Sequence, residues 1–271
     1  MLKVGYIGLG NMGQIVARVV DRGPNDVMHL LSDHNLQKAQ ALSAVLVKEN
    51  RIASNQEVMT QADLLFLGLK PAMVARFLQE MKAFIKPSTV VISMAAGLSL
   101  ASLQSMVGAG QPLIRMMPNT PIAVGQGMIT YVASPDPGLD QLFESLMQAA
   151  GQVLAIDEAL MDQATAIFGC GPAYVYHLLD AFIQAGQAIG LPNDLSRQMV
   201  IATFAGATEM VKSTGQAPLD LSDQVTSPGG STIEGVKVMQ ALGASTMIEK
   251  TIEAAYLKTV ALGKKEKEGE S

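Results

Sequence analysis

Leu2-Lys3-Val4-Gly5-Tyr6-Ile7-Gly8-Leu9-Gly10-Asn11-Met12-Gly13 is the stretch on which the fold turns. Residues 2–7 are a short apolar run with strand character. The glycine pattern follows at once, and Ile15, Val16, Val19 and Val20 then recur at helical spacing until Gly23-Pro24. Strand, GxGxxG and helix together make the dinucleotide-binding fingerprint. In it Gly8 forms the tight turn, Gly10 lets a pyrophosphate approach, and Gly13 lets the helix pack on the strand.

The fingerprint expects a second strand ending in a residue that reads the adenosine ribose. Val27 to Leu31 is that strand, and Ser32-Asp33-His34-Asn35 stands at its end. Asp33 is placed to accept from a ribose 2′-hydroxyl, which favours NADH. His34 and Lys38, with Ser32 as a further donor, suit the 2′-phosphate of NADPH instead. A third role for Asp33 is to cap the helix marked by Leu36, Ala39 and Leu42.

Further along, Ala62 to Pro71 is an apolar strand of the kind a parallel sheet buries, ended by Pro71 with Lys70 at its carboxyl end. Thr89 to Met94 is another, ending in Ala95-Ala96-Gly97. Leu113 to Met116 leads into Met117-Pro118-Asn119-Thr120-Pro121, a rigid polar loop. Strands at 128–132 and 153–156 complete the set, with helices at 74–84, 100–107 and 140–149 between them. Alternation of this kind predicts an α/β domain over residues 1–157, a doubly wound parallel sheet of the Rossmann type. Beyond Asp157 every segment reads as helix. The expected second domain is all-α over 158–263, followed by a disordered, mixed-charge tail at 264–271.

Composition narrows the partners. Net charge is −5 with a pI near 5.2, which argues against nucleic acid, since a phosphate-binding surface needs clustered Lys and Arg. One cysteine, Cys170, rules out an internal disulfide and suits a reducing cytosol. The start of the chain reads as a strand with no basic-then-apolar leader, so the expectation is a cytoplasmic chain without a signal. Ala164 to Leu191 is apolar but interrupted by Gly169, Gly171, Pro172, His177, Asp180 and Gln184. It reads as a buried helix, with no membrane span expected. His29, His34 and His177 form no ligand set, so no metal is expected. Small residues at near-helical spacing in the second half, among them Ala181, Ala185, Gly186, Ala202, Ala205 and Gly206, allow helices to approach closely. They point to a tight homodimer, against the alternative of a single-chain bundle.

Gln224-Val225-Thr226-Ser227-Pro228-Gly229-Gly230-Ser231-Thr232 precedes a helix carrying Ile233, Val236 and Met239 on one face. Adjacent glycines and a helix start make a seat for a carboxylate or phosphate, and Ser231 and Thr232 add hydroxyl donors. A Ser/Thr-capped helix after a loop is the plainer reading of the same residues.

Six blocks carry a family resemblance. They are Gly8–Gly13, Leu67-Gly68-Leu69-Lys70-Pro71, Ser93–Gly97, Arg115–Pro121, Gly169-Cys170-Gly171-Pro172-Ala173-Tyr174, and Gln224–Gln240. They occur in the order seen in pyrroline-5-carboxylate reductases, and the resemblance spans essentially the whole chain. It implies reduction of 1-pyrroline-5-carboxylate to L-proline by NADPH or NADH. It also implies a Rossmann domain followed by a helical dimerisation domain, in a family whose dimers often assemble into rings. Carried over by position, Ile7, Gly8, Leu9, Gly10, Asn11, Met12 and Gly13 would hold the pyrophosphate. Asp33, His34 and Asn35 would meet the adenosine ribose and Asn55 the adenine side. Leu69, Lys70 and Pro71 would line the ribose channel, with Ala95, Ala96 and Asn119 beside the nicotinamide. Glu158 and Gln224 match positions near substrate or cofactor. Gly229, Gly230, Ser231 and Thr232 would form the substrate loop, with Thr232 at the imine nitrogen as the catalytic candidate. Two departures stand out: Phe168-Gly169-Cys170-Gly171-Pro172 is less polar than the family's Ser-Gly-Ser-Gly-Pro, and the second-strand turn lacks an Arg.

Two other functions fit part of the pattern. A β-hydroxyacid dehydrogenase would carry a catalytic Lys in the helical half with an Asn four residues on, but the only Lys between 158 and 230 is Lys212, followed by Gln216. A nucleotide sensor would need the first fingerprint and no Gly229–Thr232 loop.

Overall fold

The computed structural model describes residues 1–268. Contacts divide the chain into two units, Met1–Cys170 joined by the segment from Ala255 onward, and Gly171–Ala254.

The first unit opens with β1 (Leu2–Ile7), α1 (Asn11–Arg22), β2 (Val27–Ser32), α2 (Leu36–Ser43), β3 (Asn50–Ile52), α3 (Asn55–Gln61) and β4 (Leu64–Leu67). It continues with α4 (Pro71–Met81), β5 (Val90–Ser93), α5 (Leu100–Val107), β6 (Leu113–Pro118), β7 (Gly127–Tyr131), α6 (Pro137–Met147) and β8 (Gly151–Ala155). The eight strands lie in the order β3-β2-β1-β4-β5-β6-β7-β8. Six run parallel as the alternation predicts, but β7 is antiparallel to β6. The link from Pro118 to Gly127 is too short for a crossover, which takes a dozen residues or more, so the chain must turn back. β8 is parallel to β7 because α6 supplies the crossover between them. β3 and α3 were not foreseen. β3 has only three residues and none fully buried, so it lacks the apolar run that marks its neighbours. α3 is started by a capping box in which Ser54 and Glu57 bond each other's backbone N–H.

Side-chain alternation sorts the strands into two apolar layers. Val4, Tyr6, Leu31, Phe66, Ile114 and Tyr131 pack with α1 and α6 on one face. Ile7, Leu30, Leu65, Leu67 and Val91 pack with α3, α4 and α5 on the other. Helices on both faces are what a buried parallel sheet demands.

After β8 come a 3-10 turn (Glu158–Leu160), α7 (Met161–Ala164) and a π-helical turn (Thr165–Gly169). The second unit holds α8 (Gly171–Ala188), α9 (Asn193–Thr214), α10 (Pro218–Gln224), α11 (Ser231–Ala241) and the start of α12 (Ala244–Glu268). α12 continues as helical backbone through 264–268, where a disordered tail was expected, and residues 269–271 of that expected tail lie outside the described residues. Its return to the first unit is marked at Gly97 and Gly263, where a Cβ on Gly97 would meet the Gly263 backbone nitrogen at 3.0 Å. α8 and α9 pack through the edge of Phe182 on Phe204, with ring centroids 5.2 Å apart, and through Gly186, where any side chain would strike Ser196. The expectation of a buried helix over 164–191 is not met within one chain. α8 has no buried residue, and Val175, Tyr176 and Phe182 are all exposed. Nor does the second unit form a bundle core of its own, since Ser196 is its one buried residue.

Candidate active site

The β1–α1 turn fits the roles its glycines suggest. Gly8 has φ +90° and donates its N–H to the Ser32 carbonyl at 2.9 Å. A Cβ on Gly13 or Gly68 would strike the Gly8 carbonyl oxygen, so three backbones meet where side chains have no room. A Cβ on Gly10, by contrast, would meet open space. Gly10 is also the N-cap of α1 and gives it no side-chain bond, nor is there an acid in the first turn. The first amides of α1 therefore face outward without partners, with the positive end of the helix dipole behind them. A helix end of this kind is suited to a phosphate.

At the end of β2 the polar atoms are committed to protein. Asp33 accepts from the Leu9 N–H at 2.6 Å and the Asn35 N–H at 2.8 Å. Ser32 Oγ donates to Asn55 Oδ1 at 2.7 Å, bringing the first turn of α3 against β2. Asn35, not Asp33, caps α2, accepting from the Gln37 N–H. His34 projects from this turn with its side chain 86% exposed, its Nδ1 3.2 Å from Asp33 Oδ1.

Further along the same carboxyl edge, Lys70 is the exposed N-cap of α4 with Pro71 at its first position. Ala95 is buried and Ala96 half-buried in the turn after β5. Asn119, after β6, uses both ends of its amide. Oδ1 accepts from the Met128 N–H at 2.9 Å, and Nδ2 donates to the Phe168 carbonyl at 3.1 Å. All these residues follow carboxyl ends of parallel strands, the side on which open α/β sheets bind ligands.

In the second unit, Gln224 closes α10 and donates to Gln216 Oε1 at 2.7 Å. Pro228 and Gly229 form the corner of a turn closed by the Gly230 N–H on the Ser227 carbonyl at 3.0 Å. Gly229 takes φ +76°, which an L side chain rarely adopts. α11 starts immediately after it. Its N-cap is Gly230, with no side-chain cap. The plainer expectation of a Ser/Thr cap therefore fails, because Ser231 and Thr232 are already the first two helical residues and both are exposed. The outcome is a helix start with a glycine N-cap, as at α1, here flanked by two hydroxyls.

Comparison with known proteins bears on each unit separately and on the chain as a whole. Residues 158–262 match the family described as pyrroline-5-carboxylate reductase dimerisation, and residues 3–97 the one described as NADP oxidoreductase, coenzyme F420-dependent. The pyrroline-5-carboxylate reductase of Corynebacterium melassecola is 31% identical over 97% of this chain and all of its own length. That of Arabidopsis thaliana is 35% identical, covering 88% of this chain and 87% of its own. The crystal structure of the Plasmodium falciparum pyrroline carboxylate reductase with NADP bound superposes with a TM-score of 0.85 at 30% identity, over 97% of this chain and 98% of that one. The chain belongs to the pyrroline-5-carboxylate reductase family.

Within that family frame, Glu158 sits in an ion-pair knot that sequence reasoning missed. Its Oε1 accepts from the Leu100 N–H at 2.7 Å and from Arg115 Nη1 at 2.9 Å, and Arg115 Nη2 reaches Asp162 at 3.4 Å. The knot fastens the start of α5 and the middle of β6 to the segment after β8. The signal was there: Arg115 is the one charge inside the apolar run Leu113-Ile114-Arg115-Met116-Met117, and a buried Arg must be paired. Cys170, the departure from the family's polar loop, closes the π-helical turn by donating its N–H to the Thr165 carbonyl at 3.0 Å.

Proposed function

We propose that this chain reduces 1-pyrroline-5-carboxylate to L-proline with NADPH or NADH. The observation that carries the reading is a pair of helix starts, α1 and α11, in which a glycine N-cap leaves the first amides without a side-chain cap. The first, at Gly10–Met12 behind a glycine turn, suits a pyrophosphate. The second, at Gly230–Thr232 with hydroxyls beside it, suits the carboxylate and nitrogen of a small cyclic imino acid. When bound, the reduced nicotinamide supplies a hydride to the imine carbon. The chain's own part is to bind and orient. Ile7 to Gly13 hold the pyrophosphate, His34, Asn35 and Asn55 border the adenosine, Leu69, Lys70 and Pro71 line the ribose channel, and Ala95 and Ala96 leave room for a flat ring. The Gly229–Thr232 amides fix the substrate carboxylate, the Thr232 hydroxyl bonds the imine nitrogen, and that nitrogen takes one proton from water, so that imine, reduced nicotinamide and a proton give the amine and oxidised nicotinamide. Glu158 acts on this site by holding α5 and β6 in register, and Gln224 supports the loop from the end of α10.

A spectrophotometric assay tests the reaction. Oxidation of NADPH or NADH on addition of 1-pyrroline-5-carboxylate, and not on addition of hydroxyacids, is the expected result. Thr232→Ala should lower kcat by about 10- to 100-fold, as removal of one oriented donor does, while cofactor affinity stays within about twofold. A Thr232→Ala enzyme turning over at the wild-type rate would remove Thr232 from the mechanism.

The active form is a homodimer, open to assembly into rings of dimers. Support comes from the apolar faces of the second unit and from a cleft of about 380 Å³ among Met210, Val211, Pro218, Leu221 and Val225. By length and composition alone Glu158–Ala188 could cross a membrane, but Asp162, Asp180, Gln184 and the Gly171-Pro172 break favour burial against a second copy. Domains at 1–157 and 158–263, a cytoplasmic location and the absence of nucleic-acid or metal partners complete the proposal.

A further inference from the structure

Asp33 stands where a carboxylate commonly reads the adenosine ribose, at the carboxyl end of β2. A ribose reader needs an oxygen turned outward to accept from the 2′-hydroxyl. Asp33 has none so turned. Its side chain is 3% exposed; its two oxygens accept separately from the N–H groups of Leu9 and Asn35, and Oδ1 also lies 3.2 Å from His34 Nδ1. Leu9 lies inside the glycine-rich turn. With the Gly8 N–H on the Ser32 carbonyl and the Leu9 N–H on Asp33, two successive amides of that turn are pinned to β2. Pinning them leaves the amides at the uncapped start of α1 to face an anion.

We infer that Asp33 is a positioning residue that locks the glycine-rich turn in the shape presenting the α1 amides to the cofactor pyrophosphate, and that it takes no part in choosing between NADH and NADPH. The inference rests on the proposed nicotinamide-dinucleotide site and assigns one of its residues a different task. Bonds from amides to a carboxylate are stronger than bonds to a neutral oxygen, and this lock needs both oxygens. An asparagine supplies one acceptor and turns an NH2 against the other N–H. The two cofactors share the pyrophosphate, so a broken lock weakens both alike. A broken ribose reader would weaken NADH and relieve NADPH of a repelling charge.

The test is a titration of wild type and Asp33→Asn with NADPH and with NADH, followed by nicotinamide fluorescence. Both dissociation constants should rise by about 10-fold or more, as for loss of a hydrogen bond to a charged group. Their ratio should stay within about threefold of the wild-type ratio. A shift of the ratio toward NADPH beyond that overturns the inference. Should Asp33→Asn lose its helical circular dichroism, the wild type is titrated with NADH and its 2′-deoxy analogue instead. Equal affinity within about threefold supports the positioning role, and a larger loss overturns it. Both titrations read binding alone, so a chain that binds both cofactors without reducing 1-pyrroline-5-carboxylate would sink the proposed reaction and leave this role intact.

Discussion

His29 illustrates what a single buried side chain does to the pH response of the fold. It lies on β2 with no exposed surface, its Nδ1 3.1 Å from the Tyr6 hydroxyl and its Nε2 3.4 Å from Asp21. Asp21 in turn accepts from the N–H groups of Val47 and Lys48. Burial pushes the imidazole down to about 4, with the Lys48 ammonium adding to the effect and the Asp21 carboxylate opposing it. Folded His29 therefore stays neutral over a range where the unfolded chain takes up a proton, from about 6.5 down to about 4. Its stabilising share is complete above that range and is lost as pH falls through it. Urea unfolding from about pH 7 to about pH 4.5 should show a loss of up to about 3 kcal/mol from this group. His29→Gln should flatten that slope; an unchanged slope would assign the acid sensitivity elsewhere. Little of this was legible in the sequence, where His29 appears only as one histidine in an apolar strand. The glycines of the β1–α1 turn were legible, because their roles follow from local geometry. The orientation of Asp33 was not. A carboxylate at the end of a strand turns outward or inward according to an amide 24 residues away.

At the scale of one element, the Phe168 carbonyl in the π-helical turn at Thr165–Gly169 has an identifiable reason for seeking a distant donor. In a continuous α-helix the Phe168 carbonyl would accept from the N–H of residue 172, which is Pro172 and has none. Asn119 supplies the missing donor from the end of β6. Asn119→Asp keeps the acceptor for Met128 and sets an oxygen against the Phe168 carbonyl, so it should cost about 1–3 kcal/mol in urea unfolding. Pro172→Ala gives Phe168 a local N–H, and in that background the cost of Asn119→Asp should shrink by about 1 kcal/mol. Strictly additive variants would show that the Asn119–Phe168 bond carries no such energy. Element by element, the long apolar strands and their order were readable because burial on both faces leaves a continuous hydrophobic run. The reversal at β7 was implicit in the eight residues between Pro118 and Gly127, yet apolar periodicity carries no strand direction. β3 was missed for want of any apolar run, and the partner of Asn119 because it lies 49 residues away.

The two units differ most in what they bury. The first holds two apolar layers against a sheet. The second exposes Ile189, Leu219, Val225 and Leu242 over most of their surface and encloses no large side chain. Fixing a residue in one conformation costs roughly 1–2 kcal/mol, and helices alone do not repay this without burying an apolar face. Isolated, Gly171–Ala254 would lack the core that its 49% hydrophobic parent sequence leads one to expect. In the proposed homodimer a second copy would supply it, since the same apolar faces would occur on both chains and a two-fold interface is self-complementary. Folding of the helical unit would then be tied to association, and its stability should depend on protein concentration. Sedimentation should give a dimer at micromolar concentration. Each tenfold dilution should lower the unfolding free energy, counted per dimer, by about 1.4 kcal/mol. Helical circular dichroism should begin to fall at the dilution where the dimer dissociates, by the share that α8 to α11 contribute, while α1 to α6 of the first unit keep theirs. A monomer that keeps its full helical signal, with a melting midpoint independent of concentration, would mean that the exposed faces of α8 to α11 are stable in water and that the dimer is not what folds them.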